Sequence, residues 1–336
     1  MLVEVGVNEA AQGGVAMDRL TADLGNARRM TDSEDAAGLF FEPDENTFAR
    51  EAETRLALPE RLFALDELDV LYEPADEVLW TFMSPTGRPS FTPQMLGDFE
   101  EWQRLILEGF ADGNAGLKFL VLGSRAPGVY CFGGDLALFN ELIRSADRAG
   151  LVRYGYRCVE ILHRNMNALD LPILTIGLVQ GAALGGGFEA LLSFDHVIAE
   201  TSATFGLPET MFGLFPGMGA HAILSRKLGS AVADRLILSN KTYSAQEMYD
   251  LGLVQQIADD GEGIAATRMF IAKNARRVAG LVGSKRAMRA CNAISLSELK
   301  RVVDLWAESA LQLREADLRV MQRLANAQTR LVAAKG

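Results

Sequence analysis

The sequence has few residues that could hold a metal ion or a network of disulfides. Three cysteines and three histidines occur among its 336 residues. Cys131, Cys158 and Cys291 lie far apart without a CxxC or zinc-type spacing, and the histidines show no metal-binding spacing. We therefore expect reduced thiols in a cytoplasmic protein and no metal site.

Excess positive charge and long apolar runs are missing as well. The chain carries 33 Lys and Arg against 44 Asp and Glu, a formal net charge of −11. This argues against nucleic acid as a main partner, because phosphate binding needs a basic surface. No apolar run reaches the length of a membrane span, and the first residues lack the basic start and apolar core of a signal peptide. We expect no membrane partner.

Composition divides the chain at about residue 60. Residues 1–60 are polar, acidic and weakly periodic, which predicts a partly irregular extension with a short helix around 46–56. Beyond it, short apolar runs alternate with amphipathic helices, the pattern of an α/β protein, and from residue 230 the chain is mostly helical. The predicted strands lie in 68–83, 117–124, 172–179 and 195–200, and the main predicted helices begin at 93, 151 and 295, the last running to 333.

The stretch GAALGGGFEALLSFD, residues 181–195, places Glu189 just behind three consecutive glycines. A P-loop is excluded because its Lys and hydroxyl residue are missing, and a dinucleotide fingerprint is weakened because Ala190 takes the third glycine position. Gly186 and Glu189 would share one face of a helix start, where an N–H can hold a developing oxyanion beside an acid or base. Glycines that allow close helix–strand packing explain the stretch equally well, so both interpretations stay open here.

Two further features suggest the same chemistry. Glu209 lies among apolar residues in ATFGLPETMFGLFPGMG; if Pro208 takes the first helical position, Glu209 is either a favourable first-turn charge or a second functional carboxyl. Two carboxyls in apolar, glycine-rich settings suggest one protonated and one ionised group, the usual division between acid and base. In GVYCFGGDL, Asp135 is the expected N-cap of the next helix, and Gly133 and Gly134 can present a second N–H donor.

The chain resembles the enoyl-CoA hydratase/isomerase (crotonase) superfamily over about residues 68–292, in the segments YCFGGDL, LPILTIGLVQGAALGGGFEALLSFDHVIAETSATFGLPET and GLFPGMGAHAILSRKLG. The resemblance implies an α/β fold, a ClpP-like spiral of ββα units with a helical C-terminal region. It implies an oxyanion hole made by the N–H groups of Gly134 and Gly186, with Glu189 and Glu209 as catalytic carboxyls for adding or removing water. Phe132 stands where the family usually has Ala, and its bulk raises the question of how the adenine or pantetheine of CoA passes this loop.

The closer resemblance is to the diffusible signal factor synthases, a branch that makes cis-2-unsaturated fatty acids for quorum sensing. It lies in FGGDLALFNELIRSADRAGLVRYGYRCVEILHRN, GGGFEALLS and PGMGAHAILSRKLG. It implies dehydration of a 3-hydroxyacyl chain on acyl carrier protein, followed by thioester hydrolysis to the free acid. It also implies an acyl pocket that includes Leu184, Gly185, Met218 and Trp306. Trp306 falls on an apolar helix stripe, so we expect it to pack in the core as well.

The resemblance has consequences for partners and organisation. It implies a homotrimer or hexamer, no cofactor apart from the acyl carrier (acyl carrier protein or CoA), and room for a sensor kinase as a regulatory partner. Residues 61–260 would form the crotonase core, and residues 261–336 would form the lid and the oligomer contacts. Two alternatives remain open: an ordinary enoyl-CoA hydratase of fatty-acid metabolism, and a regulatory binding protein that needs no chemistry.

Both carriers are anionic, which predicts a basic mouth on this acidic protein. Solvated helix charges explain any one pair of basic residues equally well. The candidates are Arg226 with Lys227, Lys285 and Arg286 with Arg289, and Lys300 with Arg301.

Overall fold

Ten strands form two sheets within residues 58–113 and 115–333, the part of the chain that the computed structural model describes. In chain order they are β1 (Leu68–Glu73), β2 (Val78–Met83), β3 (Phe119–Ser124), β4 (Val129–Cys131), β5 (Leu174–Val179), β6 (Ala182–Leu184), β7 (His196–Glu200), β8 (Thr204–Gly206), β9 (Thr242–Ser244) and β10 (Gln256–Ala258). The larger sheet has the order β1-β2-β3-β5-β7-β10, and the smaller has the order β4-β6-β8-β9. The pairs β1–β2 and β8–β9 are antiparallel, and the other neighbours run parallel.

Eleven α-helices complete the fold of the described residues. They are α1 (Pro93–Phe110), α2 (Leu136–Arg144), α3 (Arg148–Met166), α4 (Gly186–Leu191), α5 (Ala220–Leu228), α6 (Ser230–Leu238), α7 (Ala245–Asp250), α8 (Gly263–Asn274), α9 (Val278–Cys291), α10 (Leu296–Ala310) and α11 (Glu315–Ala333). Among these described helices, none combines the length and the apolarity needed to cross a bilayer.

Helices α1 and α2 begin where their capping residues predict. The Thr92 hydroxyl accepts the N–H of Met95 at 3.1 Å, with Pro93 as the first helical residue. The Asp135 carboxylate accepts the N–H of Ala137 at 3.1 Å at the start of α2. Each cap satisfies an N–H that the helix itself leaves without a partner, so the side chain at this position decides where the helix begins.

The larger sheet is covered on both faces. Along β2, Val78 and Trp80 belong to the cluster that contains Ile271 of α8, whereas Leu79 belongs to the main core on the opposite face. All six residues of β2 are buried. A sheet buried on both sides produces the nearly continuous apolar runs seen in the sequence, and the predicted α/β architecture is confirmed.

The path of the chain alternates between the two sheets. β3, β5 and β7 each enter the larger sheet, and the next strand in each case, β4, β6 or β8, enters the smaller one. A helical segment follows each pair, so the chain repeats a ββα unit. Because β4, β6 and β8 are parallel neighbours, their carboxyl ends lie along one edge of the smaller sheet, and the segments that follow them meet there.

The structure corrects two expectations for the C-terminal half. The helix expected from 295 to 333 is two helices, α10 and α11, because Asp317 in the first turn of α11 accepts the N–H of Arg314 at 3.0 Å and starts a new helix. The stretch after residue 230 also contains β9 and β10, which have three residues each. Strands this short show no periodicity in the sequence. They form because β9 pairs with β8 and β10 pairs with β7.

Several expectations lie outside the described residues. They include the irregular extension as far as residue 57 and the helix at 46–56. The domain boundaries near residues 61 and 261 stay predictions.

Candidate active site

Three segments meet at the edge where β4, β6 and β8 end. Gly134 follows β4, Gly186 follows β6 as the first residue of α4, and Glu209 follows β8. The parallel order of the strands brings these three positions together, although they are spread over 76 residues of sequence, from 134 to 209.

The first loop is pressed against the start of α4. Gly133 has a positive φ of 85°, and a Cβ on it would lie 2.4 Å from the amide nitrogen of Gly186. Only glycine fits a position that combines this backbone angle with such close approach. Arg88 donates to the carbonyl of Gly134 at 3.4 Å, while the N–H of Gly134 donates to no residue that the structure describes.

Tyr154 of α3 fastens the other side of this loop. Its hydroxyl donates to the carbonyl of Phe91 at 2.6 Å and accepts the N–H of Asp135 at 3.2 Å. Burial raises the pKa of Tyr154 well above its usual value, so the hydroxyl stays a donor. The tyrosine therefore ties Asp135, the residue after Gly134, to the neighbouring segment at Phe91.

The start of α4 supplies a second N–H. Gly185 precedes the helix with φ 53° and ψ −129°, and its own N–H donates to the carbonyl of Gly206 at 2.8 Å. The N–H of Gly186 has no acceptor among the described residues, as expected for the first turn of a helix. A Cβ on Gly186 would lie 3.5 Å from the amide nitrogen of Gly134. Two unpaired N–H groups are thus adjacent, the arrangement that stabilises an oxyanion.

Gly187 has a packing role. A Cβ there would lie 2.3 Å from the carbonyl oxygen of Cys131 in β4, so a side chain would force the helix away from the strand. For Gly187, the interpretation that the glycines allow close helix–strand packing is therefore correct. Gly185 and Gly186 instead line a cavity.

Glu189 is one turn into α4 and 1% exposed. Its Oε1 accepts the N–H groups of Met218 and Ala220, both at 2.9 Å. Gly219 before α5 offers no side-chain cap, so the Glu189 carboxylate takes that place at the N-terminus of α5. Burial raises the pKa of Glu189, and the two backbone N–H groups oppose this rise because they bind the ionised form.

Glu209 has a different environment. It begins the 3-10 helix Glu209–Phe212. The first helical position, which the sequence analysis considered for Pro208, belongs to Glu209, and Pro208 precedes the helix. The carboxyl lies over Gly185, where a Cβ would be 2.6 Å from its Oε1. Oε2 is buried without a partner in the described residues. Burial raises the pKa of Glu209, and the nearby Glu189 carboxylate raises it further, so Glu209 is the carboxyl that keeps its proton.

These groups border a mostly apolar cavity of about 610 Å³, counting its opening to solvent. The lining includes Gly134, Gly186, Glu189 and Glu209, and also Phe132, Gly185, Met218 and Trp306. Trp306 is 6% exposed and meets Phe139 edge-on with ring centroids 5.0 Å apart, so it packs in the core and lines the cavity at once.

Leu184 is a correction. It ends β6, but it does not line the cavity, and its Cδ2 lies 3.4 Å from the place of a Cβ on Gly206 in β8. The side chain of Leu184 thus packs toward β8. The cavity takes its wall from the glycine backbone at this point.

The expected basic residues do not line this cavity either. Arg226 pairs with Glu298 at 2.9 Å, Lys300 pairs with Glu160 at 2.6 Å, and Arg289 pairs with Asp195 at 2.5 Å. Arg226, Lys227, Lys285 and Arg289 line a separate cleft beside Asp195, Arg286 lines two other grooves, and Arg301 lines none of these. A different cation, Arg88 in the segment before α1, contacts the first loop.

Four residues at the site were missed by the sequence reasoning: Arg88, Tyr154, Leu324 and Gln328. The last three line the cavity, and Arg88 contacts its first loop. A signal existed for Gln328 alone, because it is a polar residue at an apolar position of its helix. Arg88 and Tyr154 act through backbone carbonyls far away in sequence, which no local pattern reveals.

The chain is similar to known proteins throughout this region. A family model described as enoyl-CoA hydratase/isomerase matches residues 90–291. The probable mitochondrial enoyl-CoA hydratase 2 of Arabidopsis thaliana is 35% identical over 147 residues, 43% of this chain and 46% of that protein. The mitochondrial methylglutaconyl-CoA hydratase of Homo sapiens is 32% identical over 154 residues, 45% and 43% of the two chains. The chain thus spans just under half the length of these curated relatives.

Solved structures extend the likeness. Pseudomonas aeruginosa DspI is 26% identical with a TM-score of 0.58, over 67% of this chain and 81% of that chain. An enoyl-CoA hydratase from Bacillus halodurans has a TM-score of 0.64 over 77% of this chain and 100% of its own, at 19% identity, which shows the fold alone. The predicted crotonase fold is confirmed.

Proposed function

This chain belongs to the enoyl-CoA hydratase/isomerase family, and on that premise we propose that it adds or removes water at C2–C3 of an acyl thioester. One observation carries the proposal. Beside two unpaired N–H groups, the cavity holds one buried carboxyl with two backbone donors and a second carboxyl whose Oε2 has no partner in the described chain. This is a base and an acid next to an oxyanion site.

The thioester carbonyl binds between the N–H groups of Gly134 and Gly186. As a proton leaves C2, negative charge moves onto the carbonyl oxygen, and the two donors stabilise the resulting enolate. The helix dipole of α4 adds to this effect at Gly186. Arg88 and Tyr154 keep the loop in place, so the donors need little rearrangement as the charge develops.

Glu189 takes the C2 proton, because its two N–H donors favour the ionised form. Glu209 gives its proton to the 3-hydroxyl, the C3–O bond breaks, and water leaves. The electrons of the enolate form the C2–C3 double bond, so the 3-hydroxyacyl thioester becomes an enoyl thioester. The opposite sequence of steps adds water.

The finer proposal is that the enzyme makes a free cis-2-enoic fatty acid signal from a 3-hydroxyacyl carrier protein. Its support is the resemblance to the diffusible signal factor synthases, together with the likeness to DspI. After dehydration Glu189 holds the C2 proton and Glu209 is ionised, so Glu209 takes a proton from a second water as that water attacks the thioester carbonyl held by the same two N–H groups. The C–S bond then breaks, and Glu189 gives its proton to the departing carrier thiolate, so the site also acts as a thioesterase and both carboxyls return to their starting states. No cofactor beyond the carrier takes part.

The test supplies the protein with a 3-hydroxyacyl carrier protein and with the matching 3-hydroxyacyl-CoA, and mass spectrometry follows both products. Release of free cis-2-enoic acid supports the synthase. The Glu189→Gln and Glu209→Gln variants should release none. Reversible dehydration without free acid would overturn the finer proposal and leave the coarser one standing.

An ordinary enoyl-CoA hydratase is the second candidate, favoured by the names of the curated relatives. It predicts hydration of trans-2-enoyl-CoA with no thioester hydrolysis. A purely regulatory protein that binds a sensor kinase would leave two cavity-lining carboxyls of raised pKa without use. Pull-down of a sensor kinase with the Glu189→Gln and Glu209→Gln variants separates a binding role from catalysis.

The oligomeric state is a separate prediction. Light scattering tests the predicted trimer or hexamer.

A further inference from the structure

Gln328 is a buried amide on α11, a helix that lines the cavity. It is 2% exposed, and its Oε1 is buried without a hydrogen-bond partner in the described chain. Its side chain lines the same cavity as Glu189 and Glu209. It also continues the buried stripe of α11, formed by Leu318, Met321 and Ala325.

A plain packing role explains this residue poorly. A buried amide oxygen that loses its water without gaining a donor destabilises the fold. Methionine has nearly the same volume and would fill the position without that penalty. The missing donor therefore points to a group that enters the cavity.

The surroundings narrow the chemistry of that group. α11 packs against the 3-10 helix that begins at Glu209, so Gln328 and Glu209 approach the cavity from neighbouring elements. Oε2 of Glu209 is the other unpartnered buried oxygen of this cavity wall. The amide oxygen needs a donor, and the protonated carboxyl needs an acceptor. A hydroxyl satisfies both, whereas a methylene or a carbonyl does not.

We propose that Gln328 recognises the 3-hydroxyl of a 3-hydroxyacyl thioester, accepting a hydrogen bond from it while Glu209 donates one to the same oxygen. The proposal rests on the proposed function and deepens it. The hydroxyl keeps its own hydrogen, which points to Gln328, and its lone pair faces Glu209. When the C3–O bond breaks, the Glu209 proton completes the water molecule, which leaves from the Gln328 oxygen.

The amide groups of the carrier's pantetheine arm are the rival donors. They are the same in every acyl thioester, whereas the 3-hydroxyl is absent from a saturated chain. A comparison of 3-hydroxydodecanoyl-CoA with dodecanoyl-CoA therefore distinguishes the two contacts, and it needs no turnover.

The experiment measures binding by calorimetry in the full chain carrying Glu189→Gln, which prevents turnover and keeps Glu209. We expect Gln328→Met to weaken binding of 3-hydroxydodecanoyl-CoA about fivefold to tenfold. Binding of dodecanoyl-CoA should stay the same or tighten. Gln328→Asn keeps the amide but shortens its reach, so it should show the same selectivity. Gln322→Met is the matched control, since Gln322 is exposed on the same helix.

Equal losses for both ligands would assign Gln328 to the pantetheine arm, and no loss for either would give it a packing role; both outcomes overturn the proposal. The melting temperature of Gln328→Met should not fall, which keeps the binding result interpretable. If the unmodified chain forms no dehydrated product while the selective loss persists, the proposed function has failed and the contact with the hydroxyl has not.

Discussion

The edge of the smaller sheet and the C-terminal helices contribute different groups to one cavity. The edge supplies backbone N–H groups at Gly134 and Gly186 and two carboxyls that lie one turn or less from a strand end or helix start. Helices α10 and α11 supply side chains, with Trp306 and Gln328 at the cavity wall. Backbone groups at strand ends are held by the sheet itself and suit the chemistry. Helix side chains can change without disturbing the sheet, so they suit the choice of substrate.

The largest effect on activity is expected when either carboxyl at the edge of the smaller sheet is replaced by an amide of the same shape. Glu189→Gln and Glu209→Gln should each lower kcat/KM for dehydration by about 10²–10⁴-fold, because the amide cannot transfer a proton. Circular dichroism should show an unchanged fold. Glu262→Gln, at an exposed position before α8, is the control and should keep full activity. Full activity in either cavity variant would remove these residues from the mechanism.

A methyl group at Gly186 tests the N–H donor. A Cβ there would lie 2.6 Å from the sulfur of Met218, so the side chain or the helix start must move. We expect Gly186→Ala to lower kcat at least about tenfold, since displaced donors stabilise the enolate less.

The matched control is Gly280→Ala, inside α9. Apart from the neighbouring residues and backbone of its own helix, no described heavy atom lies within 4 Å of a Cβ at that position. The control should keep its activity and gain about 0.5–1 kcal/mol in stability from better helix propensity. Equal activity of the two variants would show that the start of α4 tolerates a side chain and binds no oxyanion.

The stability of Glu209→Gln should depend on pH in a defined direction. The folded-state pKa of Glu209 is raised by burial and by Glu189, so between the unfolded and folded pKa values the native state binds more protons. The unmodified protein therefore loses stability as pH rises through this window, and the variant, which keeps only the raised pKa of Glu189, should lose less. The advantage of the variant should grow by about 1.4 kcal/mol for each unit of the pKa shift. Urea unfolding at pH 4 to 9 measures it; parallel curves would contradict the raised pKa.

The smallest effect is expected on the helix side. Trp306→Phe keeps an aromatic ring but leaves more room at the acyl wall. We expect KM for a long-chain thioester to change about threefold, in line with a loss of part of one buried side chain, while kcat stays within about twofold. Leu305→Ala, which is exposed on the same helix, is the control. A fall in kcat without a change in the preferred acyl-chain length would show that Trp306 acts in catalysis, as the groups at the edge of the smaller sheet do.

Much of the fold was predictable because its signals are local. Thr92 and Asp135 are N-cap residues and predict where α1 and α2 begin. The apolar runs predict the strands of the larger sheet. Gly186 and Glu189 lie three residues apart, so one helix start carries both. The predicted break-free helix from 295 to 333 was wrong because a single carboxylate, Asp317, restarts it. β9 was missed because its pairing partner, β8, lies far away in sequence.

The candidate site was only partly predictable for the same reason. Leu184 was expected in the acyl pocket, but its side chain packs toward Gly206 of β8, a contact with a distant strand that no local pattern shows. Of the basic residues expected at the mouth, Arg226, Lys227, Lys285 and Arg289 lie in a separate cleft and not at the cavity. Arg88 contacts the first loop through a backbone carbonyl, which leaves no trace in the local pattern.

By itself the sequence determined the types of group present: glycines that free backbone N–H groups, and two carboxyls in apolar surroundings. The tertiary structure decided their states. Glu189 receives two N–H groups from the segment at 218–220, whereas Oε2 of Glu209 and the Gln328 oxygen receive no donor from the described chain. Hydrogen-bond satisfaction depends on which distant backbone atoms arrive within 3 Å or so, and that is a property of packing rather than of any local stretch. The division into base, acid and hydroxyl acceptor that we propose depends on it.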